Sequence, residues 1–171
     1  MGAGKSTLAR ALSDALGVPR ISFGEYIRSV LRQRGIQESR TALQGLGESL
    51  VEDDARGFTT AVLSGLWKEG AVVDGIRHVE VLQAIRDTAA PLPVVLVYVD
   101  VDEAVRKQRL AERGMSPEEI DAADAHSTEQ QVGGELREMA ALRVHGDRDL
   151  AEAVRLVSDW VKKNFTHNER S

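Results

Sequence analysis

A chain of 171 residues is long enough to bury one sizeable core and falls in the range of a single domain. It has no cysteine, which excludes disulfides, thiolate metal sites and cysteine nucleophiles. The formal net charge of −5, with no long Lys/Arg block, argues against a nucleic-acid partner, and the longest apolar run, 94–99, is too short to span a bilayer. A cytoplasmic enzyme is expected.

Short apolar runs alternate with longer segments of helical period, the pattern of an α/β fold with a buried parallel sheet. Leu8, Leu12 and Leu16 recur every fourth residue, so a helix follows the N-terminal turn and ends at Gly17. A strand is expected over 18–22. Phe23, Ile27 and Leu31 mark the next helix, and Thr41-Ala42-Leu43-Gln44 has capping-box spacing for a third helix running to about Asp54. Gly45 and Gly47 inside that helix read as a bend or as close packing. Asp53 and Asp54, acids at a helix end, oppose the dipole, so they either face a ligand or sit in solvent. Strands are expected over 71–74 and 94–99, with a fainter one over 142–145. Ser116-Pro117-Glu118-Glu119 carries a second capping box with proline at the first helical position. Leu150, Val154, Val157 and Val161 mark a last helix before a polar tail over 166–171.

The chemistry is concentrated at the start. Met1-Gly2-Ala3-Gly4-Lys5-Ser6-Thr7 is the back half of the phosphate-binding loop G-x-x-x-x-G-K-[ST], running directly into a helix. Glycines let backbone amides curl around phosphate oxygens, and the helix directs its positive end at them. Gly2, Ala3, Gly4, Lys5, Ser6 and Thr7 are therefore the expected ATP-binding residues. Lys5 is expected on the β- and γ-phosphates and the Ser6 hydroxyl on Mg²⁺. The first glycine of the motif and the apolar strand that normally precedes it are missing. A start codon assigned too late, an engineered fragment, or a truncated protein that has lost nucleotide binding would each account for this. Upstream codons are expected to encode that strand and glycine.

Ala71-Val72-Val73-Asp74-Gly75-Ile76-Arg77 is an apolar strand ending in an acid, which suits a Walker B carboxylate acting on Mg²⁺. Arg77 follows the carboxyl end of that strand, where ligands of open α/β sheets gather. Arg106, Arg109 and Arg113 fall at i, i+3 and i+7, compatible with a ligand-facing stripe or with a solvated one. Asp121, Asp124 and His126 suggest a metal site only superficially, since acids spaced by alanine on a short helix are usually surface charges.

Ser22-Phe23-Gly24-Glu25-Tyr26-Ile27-Arg28 resembles the Ser-Thr-Gly-Asp-x-x-Arg segment of adenylate kinases and related nucleoside monophosphate kinases. Asp74-Gly75-Ile76-Arg77 resembles their Asp-Gly-x-x-Arg segment with the arginine one residue closer, and 105–113 resembles the helix entering their lid. An even closer likeness is to small archaeal and bacterial P-loop proteins described as dephospho-CoA-kinase-like. The resemblance implies a three-layer P-loop fold with a parallel sheet whose first strand is missing. It also implies an acceptor-binding helical segment near 24–68 and a short lid near 113–128. Arg28 and Arg77 would then bind the acceptor's phosphate, and Arg109 and Arg113 the transferring group. Catalysis would rest on Lys5, Asp74, Arg109 and Arg113. The chain departs from the pattern after Arg113, where His126, Ser127 and Glu129 stand in the region of the lid arginines. The expected reaction is ATP-dependent phosphorylation of a small phosphate-bearing acceptor. A nucleoside monophosphate is the first candidate and dephospho-CoA the second, with a nucleotide-binding switch as the reading from another class.

Overall fold

The computed structural model describes residues 2–64, 70–124, 134–147 and 149–165, with backbone alone for 122–124. In chain order the elements are α1 (Lys5–Leu16), β1 (Arg20–Ser22), α2 (Phe23–Gln33), α3 (Arg40–Leu63), β2 (Val72–Asp74), α4 (Val79–Ala89), β3 (Val97–Asp100), α5 (Glu103–Ala111), α6 (Pro117–Asp124), α7 (Glu135–Glu138), β4 (Leu142–His145) and α8 (Leu150–Phe165). They group into two compact units, one formed by Met1–Gly17 with Val95–Ser171 and the other by Val18–Val94. Each unit holds one parallel two-stranded ladder, β3–β4 in the first and β1–β2 in the second. Among the described residues no helix is long and apolar enough to cross a membrane.

In the first unit α1 buries Leu8, Ala9 and Leu12 and packs against α8. It ends at Gly17, whose left-handed φ of 67° lets its amide close on the Ser13 carbonyl. The faint strand at 142–145 is present as β4, with Val99 opposite Val144. The run expected over 94–99 is strand only from Val97 to Asp100. The capping box at Ser116 forms as expected: its amide donates to Glu119 at 2.8 Å and the Glu119 amide donates back to its hydroxyl at 3.3 Å. The same hydroxyl donates to Glu118, which holds that carboxyl below its ordinary range. Along α8 the expected apolar stripe is graded: Val157 is buried, Val154 and Val161 are half-buried, and Leu150 is exposed. The tail at 166–171 lies outside the described residues.

The second unit is built around Ile21, Phe23, Phe58, Val62, Leu63, Val81 and Ile85. Phe23 meets Phe58 edge-on with ring centroids 5.2 Å apart. The third helix does not start at Thr41. Ser39, in extended conformation, caps it two residues earlier by accepting from the Ala42 amide at 3.1 Å, which leaves Thr41 inside the first turn. The helical run breaks at Asp54, close to its expected end, where φ is −162° and ψ 83°, and a second helical segment continues to Leu63. Asp54 accepts from the Gly57 amide at 2.8 Å and so caps that second segment. This accounts for an acid that looked misplaced at a helix end, because it stands at the start of the next helical run. The bend is at Asp54, while Gly47 serves close packing: a Cβ there would lie 3.2 Å from Ile27 Cδ1. Asp54→Ala is expected to lower stability by about 1 kcal/mol through the lost cap, measured by denaturant unfolding.

Candidate functional site

Gly2 and Gly4 both have left-handed backbone, with φ of 78° and 82°. Side chains other than glycine rarely adopt it, so the glycine spacing of the loop follows from its path. Gly4 caps α1 with its backbone alone, leaving the first-turn amides without a side-chain cap. The Gly4 carbonyl accepts from the Leu8 amide at 3.0 Å, which seats the loop on the helix axis. A Cβ on Gly2 would press within 3.1–3.2 Å of Arg106 and Leu110 of α5, and Ala3 is buried. Half-buried Lys5 opens the helix, and Ser6 and Thr7 are exposed on its first turn.

Arg109 ties this loop to the end of the β3–β4 ladder. Its Nη1 donates to the Gly146 carbonyl at 2.9 Å and lies 3.5 Å from the Gly2 carbonyl. The Gly146 amide donates to Asp100 O at 2.7 Å, extending the ladder by one bond. Arg113 lies beyond α5, exposed, in a turn closed by the Gly114 amide on Ala111 O. The helix thus carries Arg106 and Arg109 but stops before Arg113, because Gly114, with φ of 82°, turns the chain away. Uncapped amides at a helix start, two left-handed glycines, a lysine and a serine hydroxyl are groups whose chemistry suits a polyanion with a hard cation.

In the second unit Asp74 ends β2 and is buried, opposite Ser22 of β1. Its Oδ2 accepts from Arg20 Nη1 at 3.1 Å, and Arg20 also donates to Glu25. Gly75, with φ of 92°, brings the turn after β2 against the start of α2: a Cβ there would lie 3.5 Å from the Gly24 amide nitrogen. Two of the three segments that resemble nucleoside monophosphate kinases, 22–28 and 74–77, therefore meet in space. Arg28 lies on α2, and its Nε donates to Glu38 at 2.8 Å with both side chains exposed. Arg77 is half-buried three residues beyond Asp74. Among the described residues no group of three or more His, Cys, Asp or Glu side chains could hold a metal; His126, Ser127 and Glu129 lie outside them.

Residues 1–133 match the model of the AAA domain family. The chain belongs to that family. Like this AAA domain, though at low identity, is a UPF0200 protein of Pyrobaculum aerophilum, 33% identical over 70% of this chain and 65% of that protein. An adenylate kinase of Parasynechococcus marenigrum is 28% identical over 66% of this chain and 64% of its own length. The chain thus spans less than two thirds of either relative. Among solved structures, shikimate kinase from Aquifex aeolicus superposes with a TM-score of 0.54 at 18% identity, covering 98% of this chain and 94% of that one. The AAA domain therefore has a kinase-like P-loop fold of mixed α/β type with parallel strands.

Three residues bonded to or packed on the candidate groups are absent from the motif reading: Gly146 in the first unit, and Arg20 and Glu38 in the second. Arg20 left a signal, an arginine within the short run that follows the first helix and is otherwise mostly apolar. Glu38 and Gly146 left none, since each matters only through a neighbour distant in sequence.

Proposed function

We propose that the chain is an ATP-dependent kinase that transfers the γ-phosphoryl group to a small phosphate-bearing acceptor, first of all a nucleoside monophosphate. The observation that carries this reading is the pair of left-handed glycines opening an uncapped helix at Lys5 and Ser6. The likeness to an adenylate kinase supports the choice of reaction. Lys5 and the loop amides would hold the donor's phosphates, and Arg109 would brace the loop through its carbonyls. Ser6 and Asp74 are the groups proposed for Mg²⁺, which when bound would neutralise charge on the phosphates. Arg28 and Arg77 would hold the acceptor's phosphate, Arg28 by exchanging Glu38 for it, and Arg113 the transferring group. The bond from the γ-phosphorus to its bridging oxygen breaks, the acceptor's phosphate oxygen forms the new bond, and ADP leaves. Positioning and charge neutralisation supply the catalysis.

The test is ADP release against a panel of nucleoside monophosphates, dephospho-CoA and no acceptor. Release that depends on one class of acceptor supports the kinase. Acceptor-independent release stimulated by a protein partner would favour the nucleotide-binding switch, a reading to which the engagement of Arg28 by Glu38 lends some support. Guanidinium suits phosphate by planar, charge-assisted pairing that an ammonium reproduces poorly. Arg28→Lys or Arg77→Lys is therefore expected to raise the acceptor KM roughly tenfold while ATP affinity stays within about twofold. Unchanged acceptor kinetics in both variants would remove the acceptor-clamp assignment.

A further inference from the structure

Arg20 faces two acids at once. On one face of the β1–β2 ladder its register partner is Val72, and Asp74 follows two residues on, so Arg20 and Asp74 project to the same side. Nη1 reaches Asp74, whose side chain is 6% exposed, while Nη2 reaches Glu25, which is 58% exposed on the first turn of α2. The three groups carry one positive and two negative charges. The buried Asp74 side chain has Arg20 as its cationic partner in this structure.

We infer that Arg20 is a positioning residue that competes with the bound metal ion for Asp74, and that Glu25 is its alternate partner. This rests on the reading of Asp74 as an acid serving Mg²⁺. Before the ion arrives, Arg20 holds the carboxylate in place at the strand end through its bond to Oδ2. A divalent ion at Asp74 repels the guanidinium, and Glu25, already bonded to it, retains it without a large side-chain movement. Glu25 therefore acts on the ion only through Arg20. Removing Arg20 takes away a competitor. Removing Glu25 leaves Arg20 with Asp74 alone and strengthens the competition.

The test is Mn²⁺ binding as a probe for Mg²⁺, followed by electron paramagnetic resonance with a nonhydrolysable ATP analogue present, on variants whose folding is checked by circular dichroism. Arg20→Gln is expected to tighten Mn²⁺ binding and Glu25→Gln to weaken it, each by roughly threefold to tenfold, the worth of one charge-assisted bond at a partly exposed site. In the Arg20→Gln background, Glu25→Gln should change little, because its effect needs Arg20. Should Arg20→Gln fail to fold, Arg20→Lys, with its single-point charge, is expected to give a smaller shift in the same direction. Weakening by both single substitutions, or strictly additive effects in the double variant, would mean that the cluster is a structural brace. Asp74→Asn separates the two levels. If it leaves Mn²⁺ binding unchanged, Asp74 does not serve the metal and the inference falls with that reading; if it weakens binding while Arg20 and Glu25 shift together, only the inference falls.

Discussion

Gly146→Ala is expected to unseat the phosphate loop. Gly146 needs no unusual φ, so the demand is purely one of space. A Cβ at this position would stand 2.0 Å from the Ala3 carbonyl oxygen and 2.9 Å from Val99 Cγ1. Even a favourable carbon–oxygen contact needs about 3.3 Å, so backbone must shift by roughly an ångström. Gly146 cannot easily be the part that moves, since its amide bonds Asp100 O at 2.7 Å and its carbonyl accepts from Arg109 at 2.9 Å. Ala3 yields instead, and it lies between the two left-handed glycines of the loop. The expected cost is roughly 1–3 kcal/mol in unfolding free energy. Amide hydrogens in the first turn of α1 should also exchange faster than those of its later turns. Gly35→Ala is the control: a Cβ there meets nothing within 4 Å, and the penalty of its φ of 65° should fall in the other unit without touching exchange at α1. Unchanged exchange at α1 in Gly146→Ala would show that the close approach does not govern the loop.

Features set by near neighbours along the chain were legible in the sequence. The periodic leucines of α1, the stop at Gly17 and the Ser116 box each depend on residues within four positions, and all three form. Competition between adjacent candidates was harder to read. Ser39 and Thr41 are both good caps, and the hydroxyl whose residue stands in extended backbone, Ser39, wins. The 94–99 run misled because its apolar residues divide between two tasks, Val94 packing on the core of the second unit and Val97 and Val99 forming β3 in the first. For the candidate site, glycines and lysine announced the loop because a phosphate cradle tolerates few other residue types there. Its supports were silent: the bond of Arg109 to Gly146 and the salt bridge of Arg20 with Asp74 join residues 37 and 54 positions apart.

Lys5→Ala is expected to abolish phosphoryl transfer while leaving the fold intact, when assayed in the chain as its gene encodes it. Lys5 is the first residue of α1, half-buried, and follows the left-handed turn at Gly4. Truncation to alanine opens no hole in the core formed by Leu8, Ala9 and Leu12, and alanine is the best helix former, so the unfolding midpoint should barely move. What disappears is the ammonium that the proposed function places at the donor phosphates. The first-turn amides and the helix dipole remain, so some ATP affinity should survive. Charge develops on the phosphates as the bridging bond breaks, so the loss should appear mainly in kcat. Removing one preorganised group of this kind from a transition state costs about 2.7–4 kcal/mol, a fall of roughly 10²–10³ in kcat. Lys5→Arg keeps the charge but places it on a longer, planar group, and it should recover little of the rate. Turnover within a few-fold of the parent in Lys5→Ala would exclude Lys5 from the donor site. A collapse of the unfolding midpoint would instead assign it a structural role.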